Sequence, residues 1–155
     1  MPQAPIRFSV QACLPLAPGD IAAKMLDVSE WANFPGYGPL PGIRSAEFET
    51  KTPRIIGSRI RVVNRDGSQH VEEIVEWEPD RRIQMRLFGF SAPLSAVAEC
   101  FVETWEFEPS PGGTKVVRSF EMFPKSIWAM PALWALAPLL KQAIAKHLEL
   151  MRGGA

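Results

Sequence analysis

Three glutamates, Glu73, Glu99 and Glu103, and one arginine, Arg118, fall in segments whose alternation places them on an otherwise apolar face. A carboxyl among apolar side chains loses the water that favours its charged form, so its pKa rises and it is suited to taking or giving a proton. With Glu73 or Glu103 as general base and Arg118 holding the oxygen of an enolate, the set could draw a proton from a carbon acid. Glu103 and Arg118 read equally well as a buried structural pair in which each charge only compensates the other. Glu73 has no such partner in the pattern, and its structural explanation is water or a strand twist that carries it to a rim. No Ser/His/Asp order, HExxH, phosphate loop or dinucleotide fingerprint accompanies these residues. Cys13 and Cys100 match no metal-ligand spacing or disulfide framework and read as buried free thiols. The pattern calls for no metal and no cofactor.

The chain that must position these groups has 155 residues, enough for one domain spanning 1–155. Its 17 Lys and Arg balance 17 Asp and Glu, so no global field recruits nucleic acid. Met1 to Arg7 has two prolines and no apolar run of the secretory type, which points to a cytoplasmic protein. The most apolar window, Ile127 to Leu140, is shorter than the roughly 18 residues of a membrane span and contains Pro131 and Pro138.

Ile6 to Leu16 alternates as a first strand, with Phe8, Val10 and Ala12 on one side. Pro18-Gly19-Asp20 opens a short helix to Leu26 with Asp20 as its cap, and Ser29 caps a second short piece, Glu30 to Phe34. Pro35 to Gly42 is punctuated by Pro and Gly and is either a rigid connector or the rim of a cavity, with Tyr37 and Leu40 as contacts.

Asp66-Gly67 is a two-residue hairpin signal, and centring the turn there pairs Val62 with Val71, Arg61 with Glu72, and Ile60 with Glu73. The inward face then carries Ile60, Val62, Val71, Val75 and Trp77, and the outward face Arg59, Arg61, Arg65, His70, Glu72 and Glu76. After Pro79-Asp80-Arg81 the chain returns, with Ile83, Met85 and Leu87 stacking on Trp77, Val75 and Glu73. The strand Val97 to Phe107 places Phe101, Trp105 and Phe107 beside Glu99 and Glu103. Pro111-Gly112-Gly113-Thr114 turns it back so that Trp105 faces Val116, Glu103 faces Arg118 and Phe101 faces Phe120. Buried carboxylates on such a face imply a wet or polar-spotted hollow.

The last segment, from Lys125-Ser126 to Arg152 with Gly153-Gly154 as its stop signal, is apolar all round as far as Leu140 and amphipathic beyond. Leu140, Ile144, His147, Leu148 and Met151 form the stripe that must cover the sheet, where His147 reads first as a satisfied core residue. Trp128, Met130 and Trp134 either line a cavity mouth or dock weakly on a membrane.

This order of elements resembles the START-related superfamily and its helix-grip fold, most closely the polyketide cyclase/dehydrase and lipid-transfer branch. The residues that carry the likeness are Gly57-Ser58-Arg59, the run from Val71 to Ile83 with Trp77-Glu78-Pro79-Asp80, and Trp105-Glu106-Phe107-Glu108-Pro109 followed by Gly112-Gly113-Thr114. The resemblance implies an α+β fold: a curved antiparallel sheet of about seven strands around a long C-terminal helix, with two short helices after the first strand. It also implies a cavity for a lipid, sterol-like or polyketide-like molecule, held by a monomer or homodimer, and in some members cyclisation or dehydration of that molecule. Tyr37, Leu40, Val62, Glu73, Val75, Trp77, Met85, Leu87 and Glu99 are the candidate contacts from the first part of the chain. Phe101, Glu103, Trp105, Arg118, Phe120, Trp128, Trp134, Ile144 and His147 complete the set.

Overall fold

The structure is a computed structural model that describes residues 4–153. Strand β1 (Ile6–Leu14) is followed by helix α1 (Pro18–Leu26) and a 3-10 helix (Val28–Asn33). Six further strands follow: β2 (Ile43–Thr50), β3 (Arg59–Asn64), β4 (Gln69–Glu78), β5 (Arg82–Phe88), β6 (Ala98–Ser110) and β7 (Gly113–Pro124). A 3-10 turn (Ile127–Ala129) leads into helix α2 (Met130–Gly153). The sheet has seven strands in the order β1-β7-β6-β5-β4-β3-β2, every neighbouring pair antiparallel. This is the helix-grip architecture. The stop signal at Gly154 and the N-terminal residues Met1 to Gln3 lie outside the described residues.

Helix α1 starts earlier than the Asp20 signal suggests, because Pro18 occupies the first turn, where its missing N–H has no partner to lose. The 3-10 helix is capped by Asp27 rather than Ser29: the Asp27 carboxylate accepts from the Ser29 N–H at 3.2 Å. Pro35 to Gly42 forms a tight loop closed by two backbone bonds of 2.9 Å between Tyr37 and Leu40. Gly36, at φ +70, is needed there, since a Cβ would lie 2.4 Å from the Leu40 carbonyl.

The β3-β4 register differs by one residue from the pattern-based expectation. Arg65-Asp66-Gly67 forms a three-residue loop, with the Asn64 N–H bonded to the Ser68 carbonyl at 2.8 Å and Gly67 at φ +89. The Asp66 carboxylate accepts from the Ser68 hydroxyl at 2.6 Å and the Ser68 N–H at 2.9 Å, bonds that hold its pKa below the ordinary value. The observed pairs are Val62 with His70, Arg61 with Val71, Ile60 with Glu72 and Arg59 with Glu73. A slip of one residue exchanges the two faces of β4, so Glu72 is buried and Glu73 is turned out. A bulge at Val75 then reverses the alternation and returns Trp77 to the inner face opposite Ile83, while Met85 and Leu87 lie opposite Ile74 and Glu72.

At β6-β7 the loop is only Pro111-Gly112, which shifts the pairing by two residues: Phe101 faces Met122, Glu103 faces Phe120, and Trp105 faces Arg118. A two-residue shift leaves every side chain on its expected face. Glu99 departs from this pattern, because a bulge between Ala98 and Cys100 turns it outward and leaves it exposed. Cys13 is exposed and Cys100 half-buried, contrary to the buried-thiol expectation, because β1 points Leu14 rather than Cys13 into the core.

Helix α2 packs against β1 and buries Leu133, Ala143, Ile144 and Leu148. Pro131 falls in its first turn and Pro138 inside it, yet α2 is one continuous helix after the short 3-10 piece. Pro138 lies on the exposed side, where the Trp134 carbonyl that loses its N–H partner can be met by water. The segment Ile127–Gly153 is long and apolar enough to cross a membrane by length and composition. The Ile127 to Leu140 window alone is too short, and continuation of the helix makes up the length. Its inner face serves as the closing helix of the domain.

Candidate functional site

Between the curved sheet and α2 lies a cavity of about 920 Å³. The sheet supplies Met85, Leu87, Phe101 and Phe120; α2 supplies Leu133, Leu136, Leu140 and Ile144. Met25 and Trp31 from the first helical pair, with Leu40 and Pro41 of the loop, extend the wall. Phe101 packs edge-on to Phe120 with ring centroids 6.5 Å apart and against Phe90 at 4.8 Å. These contacts arise because the inward positions of β5, β6 and β7 recur every second residue, while those of α2 recur every third or fourth.

Among the polar side chains that interrupt this mainly apolar wall are His70, Glu72, Glu103, Arg118 and His147; others, such as Lys24, Glu30, Asp66 and Gln69, come from the first helical pair and the β3-β4 hairpin. Glu103 and Arg118 are each 5% exposed and Glu72 is 6% exposed. Arg118 donates to Glu103 Oε2 from Nε at 3.1 Å and from Nη2 at 2.6 Å. Its Nη1 donates to His147 Nδ1 at 2.9 Å, and its guanidinium lies 4.1 Å from the centroid of the Trp105 ring. His70 Nε2 meets Glu72 Oε2 at 2.9 Å.

Burial pushes the Glu103 pKa up; the Arg118 charge opposes that rise, and the Glu72 charge adds to it. The Trp105 indole N–H is near enough to favour the Glu103 carboxylate, but it makes no hydrogen bond of good geometry among the described residues. His147 is pushed down to about 3, first by burial and then by the Arg118 charge, so it is neutral at pH 7. A carboxyl with a raised pKa beside a guanidinium and a neutral imidazole can exchange a proton and stabilise a developing negative oxygen.

Of the residues singled out from the sequence, Leu40, Met85, Leu87, Phe101 and Glu103 lie on the cavity wall. So do Trp105, Arg118, Phe120, Ile144 and His147. The others lie elsewhere. Val62 is fully buried in the core, Val75 sits at the β4 bulge, and Trp77 packs on the core away from the cavity. Glu73 is turned outward and bonded to Arg59 at 2.9 Å, so it cannot act as a proton carrier within the cavity. Glu99 is exposed. Tyr37 is 45% exposed on the outside of its loop. Trp134, 58% exposed, faces away from the cavity because the inner stripe of α2 passes through Leu133, Leu136 and Leu140, and Trp128, 89% exposed, projects from the 3-10 turn before it. Arg61 pairs with Glu49 at 2.6 Å rather than with Glu72.

Sequence reasoning missed Glu72 and His70, and the signal that would have found them is the Asp66-Gly67-Ser68 turn. Asp66 followed two residues later by Ser is an Asx-turn pattern, which favours the longer loop and therefore the shifted register. Phe34, expected as the end of a short helix, is the extended residue just after the 3-10 helix; it packs edge-on to His147 at 5.5 Å and had no pattern to mark it as a cavity residue.

The profile of the polyketide cyclase/dehydrase and lipid transport family matches residues 5–152. The chain belongs to that family. No curated protein sequence matches it. Among solved structures, TTHA0849 from Thermus thermophilus is similar, with a TM-score of 0.71, 16% identity, and 96% of this chain and 95% of that one covered. A ginseng major latex-like protein 151 from Panax ginseng has a TM-score of 0.65 at 16% identity, with 97% of this chain and 99% of that one covered. Ara h 8.0201 has a TM-score of 0.63 at 17% identity, with 92% and 97% covered. At these identities the solved structures establish a shared fold. As a polyketide cyclase/dehydrase and lipid transport family member, the chain has a START-related fold in which sheet and terminal helix enclose the cavity.

Proposed function

We propose that this family member binds and carries a small apolar molecule in the cavity between its sheet and α2. The observation that carries the reading is a hollow of about 920 Å³ with mainly apolar walls, into which the buried Glu103, Arg118 and Glu72 are set. That volume falls within the usual range of small-molecule sites, and few convergent polar groups are what orients a mostly apolar ligand. The cavity is complete within one chain, so a monomer is expected to suffice, which sedimentation over a concentration series checks. Native mass spectrometry of protein purified from its source tests the reading. A co-purifying apolar molecule, recovered unchanged after long incubation, is the expected result. Protein that is empty and takes up no apolar molecule would refute it.

A second reading, polyketide cyclase or dehydrase chemistry, draws support from one feature: the raised pKa of Glu103 beside Arg118 and His147. In that reading Glu103 moves the proton and Arg118 holds the enolate oxygen. Conversion of a bound polyketide that disappears in Glu103→Gln and persists in Glu73→Gln would place it ahead of carrying.

A further inference from the structure

The polar end of the cavity holds hydrogen-bonding capacity that the chain itself does not use. Both Arg118 bonds to Glu103 fall on Oε2, which leaves Oε1 without one among the described residues. The Trp105 Nε1–H lies near Glu103 and is fully enclosed, so a ligand in the cavity does not reach it. Arg118 carries only N–H donors, so His147 Nδ1 must accept, and the single proton of the neutral ring sits on Nε2. An unspent carboxylate oxygen on Glu103 and the Nε2–H of His147, both on residues that line the cavity, are therefore available in a mainly apolar space.

In surroundings that are mainly apolar, a ligand that pairs these groups gains by doing so. A ketone or ether accepts but cannot donate, which leaves Glu103 Oε1 unmet. A carboxylate also only accepts, and it brings a negative charge toward Glu103 and toward Glu72, whose one hydrogen-bond partner among the described residues is His70. A hydroxyl both donates and accepts.

We propose that the cavity selects a neutral apolar molecule bearing a hydroxyl, alcohol or phenol, at its inner end. The O–H donates to Glu103 Oε1, and its oxygen receives the N–H of His147 Nε2. Glu72 acts against anionic ligands such as fatty-acid carboxylates. This inference rests on the cavity-binding reading above.

Calorimetric titration of the intact chain at pH 7 with naphthalene, 2-methoxynaphthalene, 2-naphthol and 2-naphthoate separates the two ideas. Naphthalene binding tests the cavity, and the differences within the series test the polar end. The expected order places 2-naphthol about tenfold tighter than 2-methoxynaphthalene, the worth of one donated hydrogen bond to a charged acceptor. The expected affinity for 2-naphthoate is no better than for naphthalene. Glu72→Gln improves binding of 2-naphthoate. Equal affinity for naphthol and methoxynaphthalene, or tightest binding of the naphthoate, overturns the hydroxyl assignment and leaves the cavity reading intact. Failure of every probe, naphthalene included, overturns the cavity reading and the assignment with it. The wild-type series decides between these results even if a variant does not fold.

Discussion

Acid should destabilise the domain through His147, and the size of the effect follows from its surroundings. In the unfolded chain a histidine titrates near 6.5, whereas in the fold burial and the Arg118 charge push His147 down to about 3. The folded state therefore binds fewer protons than the unfolded one between these values, and stability is lost as pH falls through that window. At about 1.36 kcal/mol per pH unit, going from pH 7 to pH 5 costs about 2 kcal/mol from this one group. Glu103 acts with the opposite sign, since its raised pKa favours the fold as pH falls, and it is common to the wild type and a His147 variant. The test is urea unfolding at pH 7 and pH 5 for the wild type and for His147→Gln, which can still accept from Arg118 but does not titrate. The wild type should lose about 2 kcal/mol more than the variant over this interval. An identical pH dependence in the two proteins would show that His147 is not held neutral by Arg118 and burial, and the proton placement inferred for its ring would fall with it.

Four further outcomes are expected. Arg118→Leu leaves the Glu103 carboxylate buried without its cation and should cost about 3–5 kcal/mol at pH 7 by urea unfolding, less at pH 5, where the carboxyl can take up a proton. Gly67→Ala forces a side chain into a φ of +89 and should cost about 1–2 kcal/mol, measured by the same unfolding curves, while leaving probe affinity unchanged. Phe101→Ala removes a ring that bridges Phe90 and Phe120 and should cost about 3–5 kcal/mol. Trp128→Ala, on the exposed face, should stay within about 0.5 kcal/mol of the wild type and retain a bound apolar probe equally well.

The fold was legible because its signals are local and repeated. Alternation in β1, β5, β6 and β7 and the amphipathic stripe from Leu140 to Met151 each specify a buried face without reference to the rest of the chain. The candidate site was legible where a register error was harmless. A two-residue shift between β6 and β7 left Glu103 and Arg118 on the same face and within diagonal reach, so their bond survived it. On β4 the error was one residue, and it exchanged Glu73 for Glu72. That register is decided by the Asp66 side chain holding Ser68, a contact that the Asp-Gly signal alone does not contain. Bulges at Val75 and near Glu99 are equally invisible to a strict period of two, because each inserts a residue that the alternation cannot count. Apolarity alone suits Trp128 and Trp134 to a cavity mouth or a membrane, yet helical phase puts Leu133, Leu136 and Leu140 on the cavity instead of Trp134, and Trp128 lies exposed in the turn before the helix.

The most direct test of an apolar ligand between sheet and helix is a naphthalene titration followed by methyl NMR of the full chain. Saturable shifts confined to Met85, Leu87, Leu133, Leu140 and Ile144, whose side chains line the hollow, are the predicted result. No saturable change at those methyls, or changes only at Ile127 on the outer face, would mean that the hollow holds no such molecule.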